Sequence, residues 1–321
     1  MKKQEMTKQS SLKIGLLQRV MAISISLLFV ECKADTNNTT EYVIASYNIR
    51  YDNNCDRQKG YSWKERSEQI AKLIKTDQFD VFGVQEPFKH QINDMEVLLI
   101  DYQRFGVSDD NQPDSKSNHH HDIFYKKDKF NLQAQGSFWL STGGPDTPPE
   151  DLMKAAYGGK AKVCTWGKFE DKQVGTVFYV FNTHYYYANE TTKNNSATLT
   201  LQKVKEIAGT FPVIFMGDLN ITPDSKAYQT LNSTALLSDS YYMTQSKIPE
   251  DSLQYNTFNS WKPATNDTLN HYKRIDYIFL SNHWEDKVKS NTVIWDTYEK
   301  EGIQKMPSDH NPVMVKLLMP E

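Results

Sequence analysis

From residue 42 onward the chain is a succession of short β-branched and aromatic runs, and most of them stop at a residue whose side chain can do chemistry. The runs cover 42–49, 80–84, 123–125, 163–169, 176–182, 213–216, 274–280, 291–295 and 313–318, which predicts nine or ten strands. Asn48, Glu86, His184, Asp218, Asn220, Asp276, Asp309 and His310 stand at or just beyond their ends. Strand ends are where mixed α/β proteins build sites, because the loops there are placed by a rigid scaffold. Helical spacing occurs at 63–75, with Ile70, Leu73 and Ile74 on one face, and at 196–208, where Ala197, Leu201, Val204 and Ala208 recur. Ser62 is placed to cap the first helix, with Glu65 completing a capping box. Pro223, followed by Tyr228 and Leu231, predicts a third helix. The polar stretches 35–41, 109–118 and 246–256 are linker candidates, but none separates two self-sufficient strand sets. A single domain over 42–321 is therefore expected, with 35–41 as a polar linker before it.

The first 31 residues carry five basic and two acidic side chains, and an 11-residue apolar stretch from Val20 to Val30 follows the basic ones. That is half the roughly 20 residues a bilayer span needs, and it matches the layout of a secretory signal. Residues 1–34 are read as an export signal. Cleavage after Ala34 would release a soluble protein, whereas Cys32 resembles the acylated cysteine of a bacterial lipoprotein; Glu31 before it is unusual there. The reading leans to a lipid anchor, so the protein is expected to be exported, whether periplasmic, on the outer membrane or extracellular, and to touch membrane only through Cys32. Cys55 and Cys164 are too few for a disulfide framework and are expected to be free or buried thiols. The whole chain carries a formal charge of −3 and its first 31 residues +3, leaving −6 on the remainder. No extended nucleic-acid footprint is evident in such a chain, and a monomer is expected.

Taken one at a time, the strand-end residues signify little, since Gly-Asp-x-Asn is commonly a turn and Ser-Asp-His a capped loop. Together they supply hard oxygen ligands (Glu86, Asp309 and the Asn48 amide), two imidazoles and the Asp218–Asn220 pair, a set suited to Mg²⁺ and phosphoryl transfer. In order and spacing, Asn48, Gln85-Glu86, Asn182-Thr183-His184, Gly217-Asp218-Leu219-Asn220, Arg274-Ile275-Asp276-Tyr277 and Ser308-Asp309-His310 resemble the endonuclease/exonuclease/phosphatase superfamily. The segments 138–141, 164–166 and 257–259 are similar to a secreted bacterial subgroup. The resemblance implies an α/β (α+β) fold of the DNase I-like kind, a four-layer αββα sandwich of two mainly antiparallel sheets. It also implies Mg²⁺, or Mn²⁺, held by Glu86, Asn48 and Asp309. His310 would contact the phosphate or activate water, Asp276 would orient His310, and Asp218 and Asn220 would place the attacking water, with Asp218 and His310 both open as the base. His184 would sit on the phosphate or leaving oxygen, and Tyr125 resembles a phosphate-contacting tyrosine.

Two positions depart from the family pattern. Lys193 stands where relatives carry an arginine, and it lacks the bidentate fork. His119, His120 and His121 replace an acidic residue before the 123–125 run. Period two would put His119 and His121 on the face of Tyr125, where they could favour Zn²⁺ or Mn²⁺, unless they form an exposed loop. Aromatic residues follow the motifs at Tyr185-Tyr186-Tyr187, Tyr241-Tyr242, Trp261 and Tyr272, able to stack on a base or sugar or simply to pack. Nothing resembles the inositol-phosphatase signatures. The expected substrate is a small phosphate ester; a secreted nuclease is the alternative enzyme, and a non-catalytic binding module on the same fold the alternative of another class.

Overall fold

Alternation along the strands decides the architecture. In the computed structural model, which describes residues 40–319 apart from 233–235, 245–246, 248, 251 and 264–272, fourteen strands and six α-helices are formed among the described residues. Residues 1–34, read above as an export signal with Cys32, and Tyr272 lie outside them. One six-stranded sheet contains β1 (Thr40–Asn48), β2 (Val81–Gln85), β3 (Tyr102–Phe105), β4 (Ile123–Lys126), β11 (Val288–Val293) and β14 (Val313–Met319), in the order β11-β14-β1-β2-β4-β3. The other contains β5 (Phe130–Leu140), β6 (Lys162–Asp171), β7 (Val177–His184), β8 (Val213–Asp218), β9 (Ser238–Asp239) and β10 (Asp276–Leu280), in the order β5-β6-β7-β8-β10-β9. Each sheet has one parallel pair, β1 with β2 and β7 with β8, and is otherwise antiparallel. A hairpin of β12 (Tyr298–Lys300) and β13 (Ile303–Lys305) stands apart.

On β1, Tyr42 and Ile44 point into the cluster between the sheets, while Val43, Ala45 and Tyr47 point out to α2 (Trp63–Thr76) and α3 (Lys89–Leu98). On β8, Ile214 and Met216 face inward, and Val213 and Phe215 face α4 (Glu190–Ala208) and α5 (Lys226–Asn232). Both sheets are apolar on both faces, so they must be covered twice, which produces the four-layer sandwich that the motifs led one to expect. The short helices α1 (Asn54–Gln58) and α6 (Ser240–Met243) lie in the connections.

Several local expectations are corrected. Ser62 precedes α2 but makes no side-chain cap, and Glu65 is drawn away to Lys300, because a salt bridge across 235 residues of sequence competes with the local box. α5 begins at Lys226, leaving Pro223 in the preceding turn. The stretch 109–118 is not a linker, since Asp109 is wholly buried. β5 escaped notice because it is an edge strand with a polar middle, and α3 because only Gln91, Ile92 and Met95 are buried on it. Cys55 and Cys164 are both free, the first exposed and the second buried.

Candidate active site

The parity that buries Tyr42 and Ile44 also turns Asn48 inward at the end of β1. By the same count Asn182 and His184 follow Phe178 and Val180 on β7, Asp218 follows Ile214 and Met216 on β8, and Asp276 precedes Ile278 and Leu280 on β10. The parallel pairs and the antiparallel β10 and β14 bring all these ends to one rim of the sandwich. Gln85 and Asn182 close the floor: Gln85 Nε2 donates to Asn182 Oδ1 at 2.7 Å, joining one sheet to the other, and Asn182 Nδ2 donates to the carbonyls of Val84 and Asp122 at 3.0 Å.

Eight of the nine residues expected at the site converge there. Asn48 Nδ2 donates to Asp218 Oδ2 at 2.9 Å, and the Asn220 amide N–H donates to Asp218 Oδ1 at 3.0 Å. His310 Nδ1 meets Asp276 Oδ2 at 2.9 Å, with its Nε2 3.7 Å from Asp218 Oδ2. Asn220 Nδ2 lies 2.9 Å from His184 Nε2 and also donates to the Tyr185 carbonyl at 3.0 Å. Asn220 reaches this place through a left-handed backbone (φ 51°). Glu86 (φ 75°) and Arg50 (φ 58°) are left-handed as well, conformations that cost a non-glycine residue about 1 kcal/mol each and cluster at functional sites. Gly217, paired with Thr183, has no room for a side chain: a Cβ would lie 1.9 Å from the Thr183 carbonyl oxygen.

Tyr125 is the ninth, and the structure corrects it. It pairs with Val81, well down the strand from Gln85, packs against Phe105 and Phe169 between the sheets, and donates its hydroxyl to Gln103 Oε1 at 2.7 Å. Inward parity put it in the core rather than at the rim. Nor do the neighbouring histidines form an exposed loop or a ligand set. His120 and His121 are fully buried, His121 Nε2 lies 2.7 Å from Asp109 Oδ1, and His119 packs on the rings of Tyr51 and Phe88. Among the described residues, the clusters whose geometry suits a metal are Glu86–His184–Asp218 and Asp218–Asp276–His310, without His119 or His121.

Two arginines passed over by motif reading, Arg50 and Arg66, organise the site together with the segment 257–259. Arg50 Nη1 lies between Glu86 Oε2 (3.6 Å) and Asp309 Oδ2 (3.5 Å), while its Nε donates to Asp56 Oδ2 at 2.9 Å. Arg66, fully buried, donates to the carbonyls of Ile49, Arg50, Tyr61 and Pro307, tying the loop after β1 to the one before β14. Its signal was legible: a cation one turn before Ile70, on the apolar stripe of α2. Thr257 Oγ1 accepts from the N–H groups of both Ile275 and Asp276 at 3.0 Å, and Asn259 Nδ2 donates to Asn311 Oδ1 and the Ser308 carbonyl, so 257–259 brace Asp276 and His310 together. Lys193 extends from α4 to donate to the Asn220 carbonyl at 2.9 Å, which suits an ammonium as well as a fork.

Burial and charge set the protonation states. Burial opposes the charged form of His310, but Asp276, Asp218 and Asp309 around it hold its pKa up to about 10, so it is an imidazolium. Burial and the adjacent Asp276 push the Asp218 carboxyl upward; burial, with Glu86, does the same to Asp309. Glu86 is held below the usual carboxylate range, its burial outweighed by Arg50, His119, His310 and the Asn48 amide. His184 is kept neutral by burial and by Lys162 and His121. Four carboxyl groups thus crowd around two cations, Arg50 and His310, which adds to burial in raising the pKa values of Asp218 and Asp309, and the buried Oδ1 atoms of Asp309 and Asp276 have no hydrogen-bond partner. A surplus of negative charge and unpartnered hard oxygens fit a divalent cation.

The family model for the endonuclease/exonuclease/phosphatase family matches residues 45–310. The chain belongs to that family. A family member from Bacteroides thetaiotaomicron is 34% identical and covers 88% of this chain and 98% of its own, with a TM-score of 0.78. The mannosyl-6-phosphatase Bt3783 of Bacteroides thetaiotaomicron VPI-5482 is also 34% identical, covering 85% and 98%, with a TM-score of 0.76. The RNA exonuclease NGL1 of Saccharomyces cerevisiae is 28% identical over 97 residues, 27% of this chain and 27% of that protein's length.

Proposed function

We propose that this family member is a divalent-metal-dependent phosphohydrolase acting on a small phosphate ester, with Mg²⁺ as the working ion and Mn²⁺ as a substitute. The observation that carries the reading is the convergence of Glu86, Asn48, Asp309, Asp218, Asp276, His184 and His310 on one rim, with more negative charge than the protein itself balances. Glu86, Asn48 and Asp309 would hold the ion, which when bound supplies Lewis-acid stabilisation of charge on a phosphate oxygen. His310, locked through Nδ1 on Asp276, presents a charged Nε2–H to the phosphate. A charged His310 leaves Asp218, in its ionised form, as the base, with Asn48 and the Asn220 amide fixing its two oxygens. A pKa raised to about 8 makes that carboxylate a stronger proton acceptor, while confining it to the alkaline side of neutrality until a bound cation offsets burial and Asp276. His184, neutral, contacts the phosphate or leaving oxygen.

A sugar phosphate is the favoured class, because a 34% identical neighbour is described as a mannosyl-6-phosphatase and residues after 31 carry −6, too acidic for a track along many phosphates. We further read residues 1–34 as an export signal with Cys32 as the point of lipid attachment. Turnover of sugar phosphates, mononucleotides, bis-p-nitrophenyl phosphate, RNA and plasmid DNA is to be measured with Mg²⁺, Mn²⁺ and EDTA at 50 and 200 mM NaCl. The expectation is metal-dependent hydrolysis of a small ester that changes little with salt, where a six-phosphate contact would lose roughly 10³-fold in affinity. Plasmid or RNA degradation with a steep salt slope, and silence on small esters, would establish the nuclease instead; silence on every substrate would favour the binding module.

A further inference from the structure

A second charged cluster adjoins the site on its His184 side. Asp109, wholly buried, accepts at Oδ1 from His121 (2.7 Å) and at Oδ2 from both Lys160 (2.7 Å) and Lys162 (3.1 Å). Burial, first of all, keeps His121 and His119 neutral, so the cluster has two cations for one carboxylate. Its place beside the reaction centre follows from a closed circuit of contacts. His121 meets the ring of His184 edge to face, with centroids 6.1 Å apart. Two residues beyond His184, Tyr186 lies against the backbone of Gly159, where a Cβ would come within 2.5 Å of its ring. The next residue is Lys160, which returns to Asp109 and so to His121. His119 lies between the two regions, since the charges of Lys160 and Lys162 lower its basicity while Glu86 raises it.

The two lysines are not equivalent. Lys162 is on β6 and its side chain is 7% exposed, whereas Lys160 is in the preceding loop and 19% exposed. Asp109 keeps Lys162 and His121 as partners if Lys160 departs, so the second ammonium is surplus to the balance of this carboxylate and is the one able to move. Of the other cations near the centre, His310 already serves the phosphate, while Arg50 is committed to Asp56, Glu86 and Asp309, and Lys193 to Glu190 and the Asn220 carbonyl. At neutral pH a phosphomonoester carries close to two negative charges and a diester carries one.

We propose that Lys160 reads this difference: it leaves Asp109 to engage the additional negative charge of a phosphomonoester bound at the His184 side, making the enzyme prefer monoesters to diesters. The inference rests on the phosphohydrolase reading above and adds the substrate's charge class. A charge-assisted hydrogen bond of this kind corresponds to about 10- to 100-fold in apparent affinity.

The test compares wild type, Lys160→Met and Lys160→Arg. The measurements are kcat/KM on p-nitrophenyl phosphate and bis-p-nitrophenyl phosphate with Mg²⁺, inhibition by inorganic phosphate, and the rise in Tm that phosphate causes. Lys160→Met should lose about 10- to 100-fold on the monoester and less than about threefold on the diester, weaken phosphate inhibition by the same factor, and be largely rescued in Lys160→Arg. Equal losses on both esters with a lowered Tm would show that Lys160 only ties down its loop, and an unchanged ratio would overturn the proposal outright. If wild type turns over neither ester the phosphohydrolase reading fails; the phosphate-induced Tm rise, larger in wild type than in Lys160→Met or not, then still decides for or against Lys160. Should Lys160→Met not fold, Lys160→Gln is read by the same criteria.

Discussion

His119 should make the stability of this protein fall on the acid side in a way one substitution reverses. Its pKa is lowered from 6.5 to about 4, first by burial against Tyr51 and Phe88, then by Lys162 and Lys160, with Glu86 and Asp109 only partly offsetting them. A base with a depressed native pKa binds its proton in the unfolded chain before the folded one. Its penalty is therefore absent above 6.5 and accumulates as the pH falls from 6.5 towards about 4. The full gap is worth about 3.4 kcal/mol at 1.36 kcal/mol per unit, and about 2.5 kcal/mol of it falls between pH 7.5 and 4.5. His119→Gln removes the titration along with the ring packing, the latter worth about 1 kcal/mol. The variant should be about 1 kcal/mol less stable than wild type at pH 7.5 and about 1.5 kcal/mol more stable at pH 4.5. Urea unfolding at four pH values in EDTA measures both proteins, and the difference cancels every other titrating group. A difference constant within about 0.5 kcal/mol over this range would refute the reasoning, because His119 would then be titrating as it does in the unfolded chain.

Glu86→Gln should lower kcat at least about 10²-fold while moving Tm by less than about 3 °C, measured by turnover and calorimetry; activity within threefold of wild type would remove Glu86 from the metal site. His310→Ala and Asp276→Asn should lose activity non-additively, the double variant being scarcely worse than His310→Ala, since both act through one imidazole. Gly217→Ala should cost at least about 2 kcal/mol in chemical denaturation, because the added methyl meets the Thr183 carbonyl and must push β7 and β8 apart. Cys32→Ser should move the protein from the membrane to the soluble fraction; wild type that is wholly soluble and begins at Asp35 would reject the lipid anchor.

What could be read from the residues alone was what repeats locally. Strand periodicity located most of the central strands, and the motifs at their ends named Asn48, His184, Asp218 and Asp276; the structure turns them inward because a side chain two residues from a core residue shares its face. Hence eight of the nine proposed site residues meet at one rim. The resemblance placed Tyr125 there as well, but a tyrosine in a strand fixes neither its face nor its distance along the sheet, and the latter is set by the pairing of Tyr125 with Val81. Tertiary structure alone decided the rest, because those interactions join residues with no periodic relation. Arg66 reaches the Pro307 carbonyl across 241 residues, Thr257 holds the backbone of Asp276, Lys300 draws Glu65 from its cap, and Asp109 gathers His121, Lys160 and Lys162 from separate segments. A buried charge must find partners wherever the fold supplies them, and only the packed chain determines which these are.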